Sequence, residues 1–386
     1  MPKLEDTLSQ QKATHEQLRR HNRQMLLRAI YLGLSKSRAS LAQVTGLTKP
    51  TVSNLVAELI DEGLVSERGH GQASESGGKR PRLIEFQPAA RQVIGVGVDH
   101  FTVTGVLTDL AGEVIAEHRV ELDPERPLEL LNGVIDGLRA QLDAPLLCIG
   151  VGLPGVVDGA SGRVTRSSAL GWSELEVAEP LTKRHRVPVH AAHGTQLSAL
   201  AQFAFGELQT AAPRRLVTLL VERGVEVGVT LERGSVHYGA DLGGLRLHGQ
   251  PVGAGDLARV LGSKGELACE IRRLLGRADG EEVDYLELRY LANRGSAEAL
   301  ELIARTADLL APLVAWAVAL IRPEHLSIAG PITDLGEEFV TALRSAAALW
   351  LPPQELEEVR LSLASTRLTG ALGAVALALQ KELAII

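Results

Sequence analysis

The sequence predicts an α/β protein in two parts: a small helical module at the front, and behind it a larger body in which short strands alternate with helices. Apolar residues recur at helical spacing from Asn22 to about Glu62, then from Val93 the pattern changes to short β-branched runs separated by glycine-rich turns. Charge divides at the same place. The 386 residues carry a net −7, yet the first 90 hold 13 Lys and Arg against 9 Asp and Glu, while the remainder holds 27 against 38. A basic first quarter on an acidic chain predicts a module facing a polyanion, attached to a body with another task.

Composition narrows the class. With 45% apolar and 23% charged residues, the chain is globular rather than disordered or fibrous, and its length suits two or three domains. Two cysteines, Cys148 and Cys269, are too few for a disulfide framework or a four-cysteine zinc site. The stretch from Met1 to Arg23 is polar and lacks the apolar core of a secretory signal. The longest strongly apolar run, Leu309 to Ile321, is shorter than the roughly 20 residues that cross a bilayer. The expectation is a cytoplasmic protein with no membrane partner.

The first helix is expected from Asn22 to Leu34, with Met25, Leu26, Ala29 and Ile30 on one face. Ser37 is placed to cap a second helix, Arg38 to Val44, which Thr45-Gly46 closes. Thr48 then precedes Lys49-Pro50. Proline suits the first turn of a helix, where its missing N–H would have no partner anyway, and Thr48 can cap the free amides. The third helix runs to about Glu62, with Val52, Leu55, Val56, Leu59 and Ile60 inward and Thr51, Ser53 and Asn54 outward.

A short helix, a tight turn and a helix with small polar residues near its start make a helix-turn-helix. Thr51, Ser53 and Asn54 can hydrogen-bond base edges in the major groove, and Arg38, Thr48 and Lys49 stand where phosphates pass. Two strands are expected next, at Val65–Glu67 and Leu83–Phe86, joined by a glycine-rich segment ending Gly77-Gly78-Lys79-Arg80-Pro81-Arg82. A flexible tip bearing Lys79, Arg80 and Arg82 is suited to a DNA-binding wing.

In the body, strands are expected at Val93–Val98, Phe101–Thr108, Val114–Val120 and Leu146–Val151, with a helix from about Leu128 to Leu142 before the last. This β-β-β-α-β order predicts a body of the actin and ribonuclease H kind. A second unit opens with strands at Leu216–Val221 and Val225–Leu231. It continues through a long helix, Ala297 to Ile321, and a strand, Leu326–Ala329; a helix from Gly370 to Leu383 follows. The glycines at 150, 152 and 155 follow a strand, a pattern that alone says little about nucleotide binding.

The sequence resembles the ROK family of repressors and sugar kinases. In the first module the resemblance lies in Asn22-Arg23, Ser37-Arg38, Thr45-Gly46-Leu47, Gly63-Leu64-Val65 and Gly77 to Pro81. In the body it lies in Gly150 to Asp158, Leu170-Gly171-Trp172, Ile328-Ala329-Gly330 and Gly370 to Ala374. It implies a winged helix-turn-helix over 1–90, a first actin-like lobe over 91–208 completed by 370–386, and a second lobe over 209–369. The winged module marks the family's repressor branch. The resemblance therefore implies double-stranded operator DNA as partner, a homodimer or higher homo-oligomer, and a sugar-like effector in the cleft between the lobes.

The family's chemistry is absent. The Asn-Asp pair whose aspartate serves the kinases as general base falls on His193-Gly194, and glycine cannot accept a hydroxyl proton. The first phosphate turn reads Gly97-Val98-Asp99-His100-Phe101, without its glycines. The second aligns with Glu222 to Glu226, where carboxylates repel phosphates. The asparagine before Leu-Gly-Trp is Ala169. The Glu-x-Gly-His motif corresponds either to Asp241 through Gly244 or, with a one-residue gap, places its histidine at His248. Of the zinc motif only Cys269 remains nearby. The expectation is therefore no catalysis, no cofactor and no metal, with Trp172, His193, Asp241 and His248 as effector contacts; Trp172 serves equally well as a core anchor. An active kinase with a DNA-binding arm and a ligand-independent DNA-binding protein are the alternative readings.

Overall fold

The computed structural model describes residues 4–70, 82–99, 102–167, 170–205, 213–221, 225–231, 236–241, 246–247, 250–251, 266–278, 283, 285–364 and 369–386. Helix α1 (Leu4–Tyr31) begins well before the expected Asn22 and stops short of Leu34. Leu26, Leu27, Ala29 and Ile30 in its last turns are buried in the core of the module. Ion pairs from Arg19 to Glu58 and from Arg23 to Glu62 fasten its exposed side to the third helix. Helix α2 (Arg38–Thr45) is capped by Ser37, whose side chain accepts from the Ser40 amide, and ends on Gly46 at φ 70°, a left-handed conformation glycine adopts without strain. Helix α3 (Lys49–Asp61) is capped by Thr48, with Pro50 in its first turn and Val52, Leu55, Val56 and Leu59 buried. Strands β1 (Val65–His70) and β2 (Arg82–Phe86) pair antiparallel, Val65 opposite Phe86, and Phe86 meets Tyr31 edge to face at 5.2 Å.

The body contains two five-stranded sheets of identical topology. In the first, β3 (Gln92–Val98), β4 (Thr102–Asp109) and β5 (Val114–Glu121) form an antiparallel meander. Helix α4 (Pro127–Arg139) then leads to β6 (Leu146–Leu153), which pairs parallel with β3. A small antiparallel sheet follows, of β7 (Val156–Asp158), β8 (Arg163–Ser167) and β9 (Trp172–Glu176), in a stretch to which the sequence pattern assigned no element. Helix α5 (Ala178–His185) returns the chain to β10 (Val189–His193), parallel to β6, and helix α6 (Gly194–Phe205) leaves it directly.

The second sheet repeats the plan. Strands β11 (Arg215–Val221), β12 (Val225–Leu231) and β13 (Val236–Asp241) form the meander. After a two-stranded ribbon, β14 (Arg246–Leu247) with β15 (Gln250–Pro251), come helices α7 (Glu266–Leu275), α8 (Tyr285–Asn293) and α9 (Ala297–Ile321). Strand β16 (His325–Ala329) pairs parallel with β11, helices α10 (Glu337–Ala347) and α11 (Pro353–Glu357) follow, and β17 (Arg360–Leu363) pairs parallel with β16. Helix α9 is long and apolar enough to cross a membrane, yet Leu302, Ile303, Leu310 and Val314 are buried in the core beside β11 and β16.

Helix α12 (Thr369–Glu382) lies across the first sheet. Its seat depends on glycine: a Cβ at Gly150 would collide with the Ala374 carbonyl, and one at Gly373 with the Leu197 carbonyl of α6. Gly150 and Gly152 thus lie within β6 rather than after it. The absence of a Cβ at Gly150 admits a helix backbone, not a phosphate. One apolar cluster runs from Leu26, Val52 and Leu59 of the helical module through Val93, Val106 and Leu110 to Val375 and Leu379 of α12. The module is therefore packed against the body, with the Leu110 amide donating to the Pro88 carbonyl at 3.1 Å.

Candidate nucleic-acid interface and remodelled ligand site

The start of α3 presents the polar residues expected of a recognition helix. Lys49 and Asn54 are exposed, and Thr51 and Ser53 are half-buried. Thr48 spends its hydroxyl on the helix itself, accepting from the Thr51 amide at 3.3 Å and meeting Thr51 Oγ1 at 2.8 Å. Arg38 is more constrained than its sequence position suggested. Its Nε donates to Glu67 Oε1 at 3.0 Å, and its Nη1 donates to the Ser53 carbonyl at 3.3 Å. Arg82 Nη1 donates to the other oxygen of Glu67 at 3.1 Å, while its side chain remains 68% exposed. Lys79 and Arg80 lie outside the described residues. Glu67 had no distinguishing signal in the sequence; its partners come from α2 and β2.

The ligand-site residues are distributed differently. Trp172 is buried among the apolar residues of the first sheet, and its indole N–H donates to the Pro124 carbonyl at 2.8 Å. Its one polar group is thus engaged in anchoring the chain, as the core-anchor reading of this residue expects. His193 ends β10 opposite Leu153 of β6, is buried, and accepts from the Thr195 amide through Nδ1 at 3.3 Å. Gly194 opens α6, where a Cβ would meet only the Leu153 carbonyl at 3.8 Å. Among the described residues, nothing obstructs a Cβ at this position.

The first turn of α6 also reaches the second sheet, since a Cβ at Gly228 of β12 would come within 2.5 Å of the Thr195 carbonyl. Gly228 pairs with Gly239, two residues before Asp241 on β13. His193 thus precedes the helix turn that meets β12, and Asp241 ends β13 opposite Glu226 of β12; His248 lies outside the described residues.

Neighbouring turns carry structural duties. Asp99 accepts from the Thr102 amide and hydroxyl at 2.6 and 2.7 Å, closing the β3–β4 turn where the kinases bind phosphate. Asp158 accepts from the Ala160 amide and from Ser161 Oγ at 3.1 and 2.6 Å, and these hydrogen bonds hold its carboxyl below the usual range. Of the second phosphate turn, residues 222–224 lie outside the described set. Among the described residues no group of three or more His, Cys, Asp and Glu side chains is arranged to hold a metal ion. Cys269 lies 4.0 Å from the guanidinium of the buried Arg272.

This architecture has known counterparts. The chain is 27% identical over 356 residues to the xylose repressor of Caldicellulosiruptor bescii, an alignment covering 86% of this chain and 88% of that protein. The crystal structure of a ROK family transcriptional regulator, a homolog of the Escherichia coli MLC protein, superposes with a TM-score of 0.75 at 20% identity, covering 95% of this chain and 98% of that one. The ROK family glucokinase of Streptomyces griseus, solved with glucose and AMPPNP, gives a TM-score of 0.63 at 18% identity and covers 75% of this chain but 99% of that one. The sequence signature of the ROK family matches residues 92–381, most of the chain and nearly all of the two-sheet body. The chain belongs to the ROK family.

Proposed function

We propose that this protein is a DNA-binding transcriptional repressor whose body has kept a sugar-kinase fold without the catalysis. One observation carries the reading. A helix-turn-helix with an exposed polar recognition face, followed by a hairpin, is packed onto a ROK body in which Gly194 stands at the general-base position. The similarity to a xylose repressor over most of both chains supports it. The functional units are 1–90 for DNA binding, 91–208 with 370–386 for the first lobe, and 209–369 for the second. The working form is a cytoplasmic homodimer on a palindromic operator, because each module reads one half-site. Neither zinc nor nucleotide is required.

The effector is a small molecule of the sugar class, with His193, Asp241 and His248 as its polar contacts. It shifts DNA binding only by its difference in affinity between the DNA-competent and released states. Footprinting of the purified protein on its own upstream DNA, with and without a panel of pentoses, hexoses and their phosphates, tests the reading. The expected result is a protected palindrome that one ligand weakens. His193→Ala or Asp241→Ala should reduce that response while leaving ligand-free binding intact. Absence of any protected site overturns the repressor reading; a protected site insensitive to every ligand overturns the effector alone.

A further inference from the structure

Glu67 is an acidic residue in a face otherwise arranged for a polyanion. Its side chain is 17% exposed, and each carboxylate oxygen holds one guanidinium: Arg38 from α2 on Oε1 and Arg82 from β2 on Oε2. Arg38 also donates to the carbonyl of Ser53, in the middle of the recognition helix. Four elements are thereby fastened through three side chains: α2, α3, β1 and β2. The main chain adds a second tie, with the Ile84 amide of β2 donating to the Lys36 carbonyl before α2 at 2.9 Å.

A carboxylate in this position carries a cost for DNA binding, since like charge near phosphates is repulsive. It also restrains two arginines whose free side chains would rotate over several phosphates. What it supplies is geometry. Arg82 opens β2, so fixing it against Arg38 fixes where its own charge falls relative to Ser53 and Asn54. Phosphate contacts set the register in which base contacts are read, and a register held before binding costs less to order in the complex.

Resting on the DNA-binding reading above, we propose that Glu67 is a positioning residue for sequence discrimination. It sacrifices non-specific affinity to hold the hairpin and the recognition helix in one register.

The test compares the full chain with Glu67→Gln, which keeps size and removes charge. Both are measured on the duplex that the unaltered protein selects from a randomised pool and on a scrambled duplex of equal length. The expected result is roughly a tenfold fall in the ratio of selected to scrambled affinity. The salt dependence on the scrambled duplex should steepen by about one to two as Arg38 and Arg82 reach phosphates. The thermal midpoint should change little. Arg38→Lys, which keeps the charge but cannot bridge Glu67 and Ser53 together, should lose discrimination in the same way. Equal change on both duplexes, or none, for the two variants overturns the proposal. Failure of the unaltered protein to select any sequence overturns instead the DNA-binding reading beneath it.

Discussion

The carbonyl of Ala374 lies directly over Gly150, so close that no side chain can stand between helix α12 and strand β6. Gly150→Ala should therefore destabilise the protein by about 3 kcal/mol, the upper end for inserting a methyl group into a packed interior, because the obstacle is rigid backbone. Gly159→Ala, where a Cβ meets nothing within 4 Å, is the control and should be close to neutral. Denaturant unfolding of the two variants decides it; equal stability would mean that α12 shifts freely on its sheet.

Asn54 and Ser53 should govern sequence preference. Alanine at either position is expected to relax selectivity at one or two base pairs, by about 1–3 kcal/mol for a lost bidentate base contact. Binding to a library of single-base operator variants would show it as a local loss; a uniform loss across the site would move both residues to a phosphate-contacting role.

The hairpin tip should act without regard to sequence. Replacing Lys79 and Arg80 together by glutamine, with Arg82 left on Glu67, is expected to weaken binding to every duplex. It should also lower the magnitude of the salt slope by about 2 per module, about 0.9 for each lost phosphate contact. An unchanged slope would remove the tip from the interface.

Gly194→Asp should fold and remain inactive. A Cβ there meets only ordinary contact with the Leu153 carbonyl among the described residues, and a carboxylate at the first position of α6 favours the helix by about 0.3–1 kcal/mol. Phosphoryl transfer also needs the phosphate-binding turns, and Asp99 spends its oxygens on Thr102. Incubation of either form with ATP, magnesium and a sugar panel should release no ADP above background. Turnover by the unaltered protein would restore the kinase reading.

Acid should weaken the second sheet through His325. Burial, and secondarily the charge of Arg360, pushes its pKa down to about 4, and its Nε2 lies 2.7 Å from Ser362 Oγ. An unfolded histidine takes up its proton near 6.5, so below that pH the unfolded chain binds a proton that the folded chain refuses. This contribution to stability is constant above about pH 7. It falls by roughly 2 kcal/mol between pH 7 and pH 5. His325→Gln should lack that part of the decline, and identical pH profiles for the two proteins would show that His325 ionises freely in the fold.

Local chemistry was the legible part of this sequence. Ser37 and Thr48 announced their caps, and α9 has the expected bounds of Ala297 and Ile321, because caps and helical periods are written within a few residues of one another. The strand order of the first sheet was also readable up to β6. What stayed hidden depends on partners far along the chain. Glu67 finds its arginines 29 and 15 residues away. His185 meets Asn132 across 53 residues. The reason for glycine at 150 is a helix more than 200 residues later. Trp172 carried two equal readings until Pro124 claimed its N–H. The opening turns of α1 were missed because the stretch before Asn22 is polar and charged and carries no apolar period to mark a helix.

The apolar cluster shared by the recognition module and α12 also bears on the order of events during synthesis. Leu26, Val52 and Leu59 leave the ribosome well before Val375 and Leu379 of the same cluster, which lie more than 300 residues further along the chain. At about 5–20 residues per second, that interval is on the order of tens of seconds. Until it closes, the face by which the module rests on the body has no α12 to cover it. A nascent chain thus holds its recognition module on an incomplete support until α12 has been made.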